Sequence, residues 1–340
     1  MLARVFLAAL ASFAMWPADT YALTVVTRGD GAQAALLEVV APGFTATTDI
    51  PLRVETWDGG LDTLKARAAE GGWDVVQVEP DELATGCADG TFEKLDWPTI
   101  GGKDHYQTMG VSDCGVGAAV NNVVLAWDRD KFPAIPTWAD FWDVAKIPGK
   151  RGLAKSVRGA LEFALLADGV APAEVYKTLG TAEGVDRAFR KLDQLKPYIV
   201  WWQTPADALK ILGSGDVLMT ATPSGAIAVA NRGEKRNFGV QFAGSLFEPR
   251  SWAAIKGAPN LRDATQFLYL TGAPSVQARM FRANGEIGTA KGVNDWLTPE
   301  QQALSPTFQG NVSVALRVDN AFWRENAAKL RVRFEAWLAQ

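Results

Sequence analysis

Hydrophobic and polar positions change period along the chain, and the changes delimit the elements. Leu23–Thr27 is a short apolar run and predicts a strand. The turn Arg28-Gly29-Asp30-Gly31 and an apolar-periodic segment, Ala32–Val40, follow it. Leu52–Glu55 reads as a second strand. Trp57-Asp58-Gly59-Gly60 leads into a helix over Leu61–Glu70, where Leu61, Leu64 and Ala68 share one face. Gly71-Gly72 stops that helix, and Trp73–Val78 is a third strand. Strands alternating with helices imply an α/β fold with a mainly parallel sheet, in which ligands bind outside the carboxyl ends of the strands. Arg28, Trp57 with Asp58, and Glu79 stand at such ends.

The segment CGVGAAVNNVVLAWD (114–128) organises the middle of the chain. After a turn at Cys114–Gly117, the apolar run Ala118–Trp127 predicts a buried strand entering a crossover between two lobes. Asn121 and Asn122 interrupt it where a core strand carries hydrophobes. Their amides need partners, which a ligand cleft or neighbouring backbone can supply. Thr137 is the expected N-cap of a helix over Trp138–Ala145, and Thr181 starts another carrying Val185, Phe189 and Leu192 on one face. Tyr198–Trp202 and Val217–Thr220 read as strands. The turns Thr204-Pro205-Ala206-Asp207 and Thr222-Pro223-Ser224-Gly225-Ala226 open helices whose free N–H groups suit either an anion or their own caps. Phe238–Gly244 and Ser251–Ala254 carry a strand back past Arg250. Helices follow over Leu261–Leu270, Ser275–Phe281 and the amphipathic Phe322–Leu338.

Composition narrows the function classes. With 340 residues, 48% of them hydrophobic and 21% charged, the chain is long enough for two globular domains. A net charge of −4 without a basic stripe gives no expectation of nucleic-acid binding. One histidine, His105, and two cysteines leave little material for a metal site, and no cofactor is expected. Residues 1–22 have the form of a signal peptide: Arg4, the apolar Val5–Trp16, and Thr20-Tyr21-Ala22 before a cleavage site after Ala22. The mature protein is therefore expected in a periplasm. There, Cys87 and Cys114 either form a disulfide worth roughly 3–4 kcal/mol, or leave Cys114 as a nucleophile served by His105. No G-x-S-x-G elbow, H-E-x-x-H helix or Walker loop supports an enzyme.

Several segments, in order, resemble one family. They are DVVQVEPDELATGCADGTFEKLDW (74–97), SDCGVGAAVNNVVLAWD (112–128), PTWADFWDVAKIPGKRGL (136–153), LEFALLADGVAPAEVYKTL (161–179), EGVDRAFRKLDQLKPYIVWW (183–202) and SWAAIKGAPN (251–260). The chain is similar to extracytoplasmic solute-binding proteins of ABC importers, in the spermidine/putrescine-binding branch of the type II periplasmic-binding fold. The resemblance implies two α/β lobes, 23–127 with 252–300 and 128–251 with 301–340, joined by crossovers near Asp128 and Arg250. It also implies a ligand cleft between the lobes, an inner-membrane permease as partner, a monomer, no catalysis and a Cys87–Cys114 disulfide.

Relative to that branch, the ligand positions are altered. Arg28 stands where a Trp usually follows the first strand, and Arg250 replaces an acid before Ser251. Thr220-Ala221-Thr222-Pro223-Ser224 replaces an aromatic turn, and Ser156-Val157-Arg158 replaces amine-gripping acids. Arginine is a fixed, bidentate carboxylate partner, so the expected ligand is a carboxylate or a zwitterion such as a γ-amino acid, with an ordinary polyamine as the alternative. Arg28 and Arg250 would hold the acid group, with hydroxyl bonds from Thr222, Ser224 and Ser251. Glu79, Asp58 or Glu248 would take an amine, and Trp57, Trp202 and Phe247 would form the apolar wall.

Overall fold

The computed structural model describes residues 22–340, so the expected signal segment lies outside the described residues except for Ala22. Nine strands form one continuous sheet: β1 (Leu23–Thr27), β2 (Leu52–Thr56), β3 (Val75–Val78), β4 (Val116–Asp128), β5 (Arg151–Ala154), β6 (Ile199–Trp202), β7 (Met219–Thr222), β8 (Phe238–Ala254) and β9 (Leu316–Arg317). The order is β2-β1-β3-β8-β4-β7-β5-β6, with β9 on β8. The β1–β2, β1–β3, β5–β6 and β5–β7 pairs are parallel, as the alternating pattern implies.

The sheet is two half-sheets sharing two strands. β4 and β8, of 13 and 17 residues, are long enough at about 3.3 Å per residue to belong to both halves. Val75–Val78 of β3 pairs with Ser251–Ala254 of β8, whereas Val124–Trp127 of β4 pairs with Met219–Thr222 of β7. Between these regions β4 pairs with β8, Asn121 opposite Glu248 and Asn122 opposite Phe247, while β9 adds to β8 at Leu246 and Phe247. The pairing partners thus change around Asn121–Val123, some residues before Asp128.

Each half-sheet is buried on both faces, which explains strands that read as unbroken apolar runs. On one face of the first half, Val25 and Val75 pack with Phe44, Trp252 and Phe267. On the other, Val26, Val76 and Val78 pack with Trp57, Leu64 and Leu83. In the second half, Leu125, Trp127, Leu153 and Met219 pack on one face against Phe163, Phe189, Leu192 and residues Phe334 and Trp337 of the C-terminal helix Asn320–Leu338. Ala126 packs on the other face with Leu212, Val217 and Ile227.

Two expectations change. Residues 238–254 form one continuous strand that takes in 245–250, and Arg250 lies inside it opposite Ala119. Pro249, which has no N–H to offer the ladder, and the positive φ of Gly244 are what make the stretch read as broken. The helix expected over Trp138–Ala145 ends at Trp142. Beyond it the chain turns so that the carbonyls of Phe141, Ile147 and Gly149 all accept from the buried Arg151 guanidinium at 2.7 Å. Thr137 does cap this helix, reciprocally with Asp140.

Cys87 and Cys114 form a disulfide, with Cα atoms 5.7 Å apart. Cys114 therefore has no thiol to ionise. His105, its supposed base, has Nε2 within 2.9 Å of the Gly272 carbonyl and its ring edge on Tyr106. The Cys114–His105 enzyme reading loses its nucleophile. Among the described residues no helix is long and apolar enough to cross a membrane.

Candidate functional site

The candidate site lies where β4 and β8 exchange partners. A cavity of about 190 Å³ opens there, with Asn121, Ser156, Arg158, Phe163, Phe247 and Glu248 among its lining. A second, of about 240 Å³, is bounded by Asn121, Asn122, Pro205, Pro223, Arg250 and Glu286. Asn121 and Asn122 belong to both.

Asn122 shows what the interrupted apolar run is for. Its Nδ2 donates to Ser224 Oγ at 2.9 Å, and the Ser224 N–H donates back to Oδ1 at 3.3 Å. The amide thus seats the N-terminus of the Ser224–Gly233 helix against β4. The expectation of a ligand partner therefore passes from Asn122 and Ser224, whose groups are occupied by each other, to the half-buried Asn121.

Charges gather in two groups beside these amides, one centred on Arg250 and one on Arg158. Arg250 Nε donates to Glu79 Oε1 at 2.7 Å, and its Nη1 lies 3.6 Å from Glu286 Oε1. Desolvation works against the Arg250 charge, but Glu79, Glu286 and Glu248 more than offset it and raise its pKa. Arg158 Nη2 donates to Glu248 Oε2 and Asn320 Oδ1, both at 2.7 Å. Burial pushes the Glu248 carboxyl up to about 7, Arg158 opposing the shift and Glu79 adding to it.

Arg28 stands elsewhere. It pairs with the buried Glu82, donates to the Asp58 carbonyl at 3.1 Å, and stacks 4.7 Å above the Trp57 ring. Glu82 also accepts from the Gly60 and Glu79 N–H groups, so Arg28 is held in a closed local network. Trp57 donates to the Gln77 carbonyl and packs its edge on Trp73, inside the core. The Asp58 side chain is exposed. Arg28, Trp57 and Asp58 line neither cavity.

Strand alternation separates Ser251 from Arg250. Ser251 and Pro249 face a groove with Cys87, Lys94, Asp113 and Arg317 instead. Thr222 and Trp202 end β7 and β6, on either side of β5; both are buried, with Thr222 Oγ1 and Trp202 Nε1 unpartnered among the described residues, and neither lines either cavity. Phe247 lines the first cavity, as expected of an apolar wall, beside Phe163 and Leu246.

Three residues that sequence reasoning left out of the site belong to this cluster: Arg158, Glu286 and Asn320. The SVR triplet at 156–158 was a signal for the first. For Glu286 and Asn320, far along the chain from β8, no local pattern exists.

The halves meet beside the second cavity through main chain. A Cβ placed on Gly225 would lie 2.3 Å from the Gly285 carbonyl oxygen, and one on Gly285 would lie 2.4 Å from that of Gly225. Gly285 also has φ +81°, so both its contact and its conformation require glycine.

This arrangement, a two-lobed sheet with polar groups at its crossover, has counterparts. The family model described as bacterial extracellular solute-binding protein matches residues 40–310. The gamma-aminobutyric acid-binding protein of Pseudomonas aeruginosa is 38% identical over 341 residues, spanning 99% of this chain and 96% of that protein. An ABC transporter substrate-binding protein from Bradyrhizobium japonicum USDA 110 superimposes with a TM-score of 0.80 at 28% identity, covering 94% of this chain and 99% of the other. The Atu4243-GABA receptor also gives a TM-score of 0.80 at 28% identity, over 94% and 98% of the two chains. The chain belongs to the family of bacterial extracellular solute-binding proteins, the substrate receptors of ABC importers.

Proposed function

We propose that this receptor captures a γ-amino acid, γ-aminobutyrate or a close analogue, in the periplasm and presents it to an ABC permease. The carrying observation is the doubled ion pair, Arg250 with Glu79 and Arg158 with Glu248, on either side of Asn121–Asn122. A zwitterion can replace half of each pair, its carboxylate taking a guanidinium and its ammonium taking a glutamate. A dicationic polyamine needs acids without cationic partners. Here Glu79, Glu82 and Glu248 each already have an arginine. Glu248 and Arg250 are two residues apart on one face of β8, roughly 6.7 Å by strand rise. That separation suits charges held apart by a methylene chain better than an α-amino acid. The naming of the 38% identical relative points the same way.

In this reading Arg250 and Arg158 take the acid group and Glu248 the amine. Asn121 adds polar bonds, and Phe247 and Phe163 form the apolar wall. Arg28, Trp57 and Asp58 shape the first lobe, and Ser251 faces away. The lobes are residues 23–127 with 252–300 and 128–251 with 301–340, sharing β4 and β8. Export rests on the leader at residues 1–22, and the receptor acts as a monomer.

A thermal-shift screen of Leu23–Gln340 tests the ligand. At a hundred times its dissociation constant, γ-aminobutyrate should add about 2.7 kcal/mol and raise the midpoint clearly, while putrescine, spermidine, α-amino acids and phosphonates leave it in place. A shift by spermidine alone would sink the ion-pair exchange.

Orientation is readable from pH. The groups acting on Glu248 are Arg158, Glu79, Arg250 and Asp81, and its carboxyl is raised to about 7 in the free receptor. An ammonium docked on it favours the ionised form, so the free receptor binds more protons than the complex. Affinity should therefore rise with pH, by about tenfold between pH 6 and 8, and level off above. Calorimetry in two buffers should show proton release. Proton uptake would place the ligand carboxylate, not the ammonium, against Glu248.

A further inference from the structure

Glu162 is fully buried in the Val157–Ala167 helical segment and lines neither cavity. Each of its partners donates to it: the Gly159 N–H at 2.8 Å, the Tyr176 hydroxyl at 2.9 Å and Trp323 Nε1 at 2.8 Å. A carboxylate surrounded this way is satisfied as an acceptor, although burial pushes its pKa up.

The segment it belongs to is not a regular helix. Arg158 has φ −70°, ψ 128°, and Gly159 has φ 92°, ψ −49°. The regular helix begins only at Ala160, and Glu162 reaches back to the N–H at its entrance as a capping-box glutamate does. This entrance turns Arg158 out of the helical path, and its guanidinium reaches Glu248 and Asn320. Trp323 and Asn320 both come from the C-terminal helix, so that helix holds the turn from behind and the Arg158 side chain from in front.

We infer that Glu162 is a positioning residue for the ligand: it fixes the Arg158–Gly159 step and thereby sets the Arg158 guanidinium in the cleft. The inference rests on the reading of Arg158 as a ligand-facing group. A Glu162 that only tied the C-terminal helix to its lobe would change stability and nothing else.

Two measurements separate these roles. Calorimetry with γ-aminobutyrate on wild type, Glu162→Gln, Arg158→Ala and the double variant should show Glu162→Gln weakening binding about tenfold. The double variant should bind no more weakly than Arg158→Ala alone. Without any ligand, carbon NMR of the Glu248 carboxyl should show a higher titration midpoint in Glu162→Gln, because the opposing guanidinium has moved away. An unchanged dissociation constant and Glu248 midpoint, with only a lowered melting temperature, would overturn the inference. If wild type does not bind γ-aminobutyrate, the ligand reading fails and the Glu248 titration still decides the role of Glu162. Should Glu162→Gln not fold, Trp323→Phe removes one donor and should move both readouts in the same direction. No movement in that variant would count against the inference.

Discussion

Arg250→Ala is expected to lower γ-aminobutyrate affinity by at least about 30-fold, since truncating one member of a buried charge pair typically costs 2–5 kcal/mol. The guanidinium lies 2.7 Å from Glu79 and 3.6 Å from Glu286, with a side chain only 19% exposed. Its removal takes away the proposed carboxylate partner of the ligand and leaves two acids, Glu79 and Glu286, without their shared cation. The same change should lower the stability of the free receptor by roughly 2–4 kcal/mol at pH 7, because an uncompensated buried charge is worse than none. The sign of its pH dependence follows. The Glu286 carboxyl is already raised by burial, with Arg250 opposing the shift. Without Arg250 it rises further, so the variant binds more protons than wild type when folded, and its deficit shrinks as pH falls from 7 to 5. Arg250→Lys should recover part of the stability and little of the affinity, since a point charge cannot fork between glutamate and ligand. Calorimetry and urea unfolding at both pH values check this. Wild-type affinity in Arg250→Ala would remove the residue from the site.

Cys87→Ser with Cys114→Ser is the other large effect, expected on stability alone. The bridge spans a sequence separation of 27, for which the chain-entropy account gives about 3–4 kcal/mol. The bridge joins the end of the Pro80–Ala88 helix to the entry of β4. Cys87 faces the groove that holds Ser251, and neither ion-pair cavity. The double variant should therefore melt several degrees lower while its dissociation constant changes less than about threefold. A large loss of affinity would mean that the bridge sets the geometry of β4 and of Asn121.

The sequence made the strands and their parallel order legible because each half-sheet is buried on both faces, so Val25-Val26 and Val75-Val76 carry one message whichever face they serve. It misread the length of β8 because Pro249 and Gly244 have the same signature inside a long, bulged strand as in a loop. Of the residues that gather at the crossover, Glu79 follows the end of β3 and Asn121 interrupts an apolar run, while Glu248 and Arg250 flank Pro249 within β8. Arg28 sent an equally strong signal. What composition could not convey is that Glu82, three residues beyond Glu79 on the turn of a helix, closes on Arg28 and holds it. Glu286 and Asn320 enter the cluster only through tertiary folding, so no local period could have announced them.

If the lobes close on a ligand as the proposed function requires, the approach of Gly225 to Gly285 would give that closure a hard stop. Where side chains meet across a cleft, rotamers can yield and admit a slightly longer guest. Main chain against main chain has nothing to yield. The bound state would then have a length fixed by the backbone, a gauge rather than a glove. Exchanging Arg250, Glu248 or Phe247 would retune which charges and surfaces are welcome in that gap. A receptor of this design would have to move a helix end to accept a longer chain.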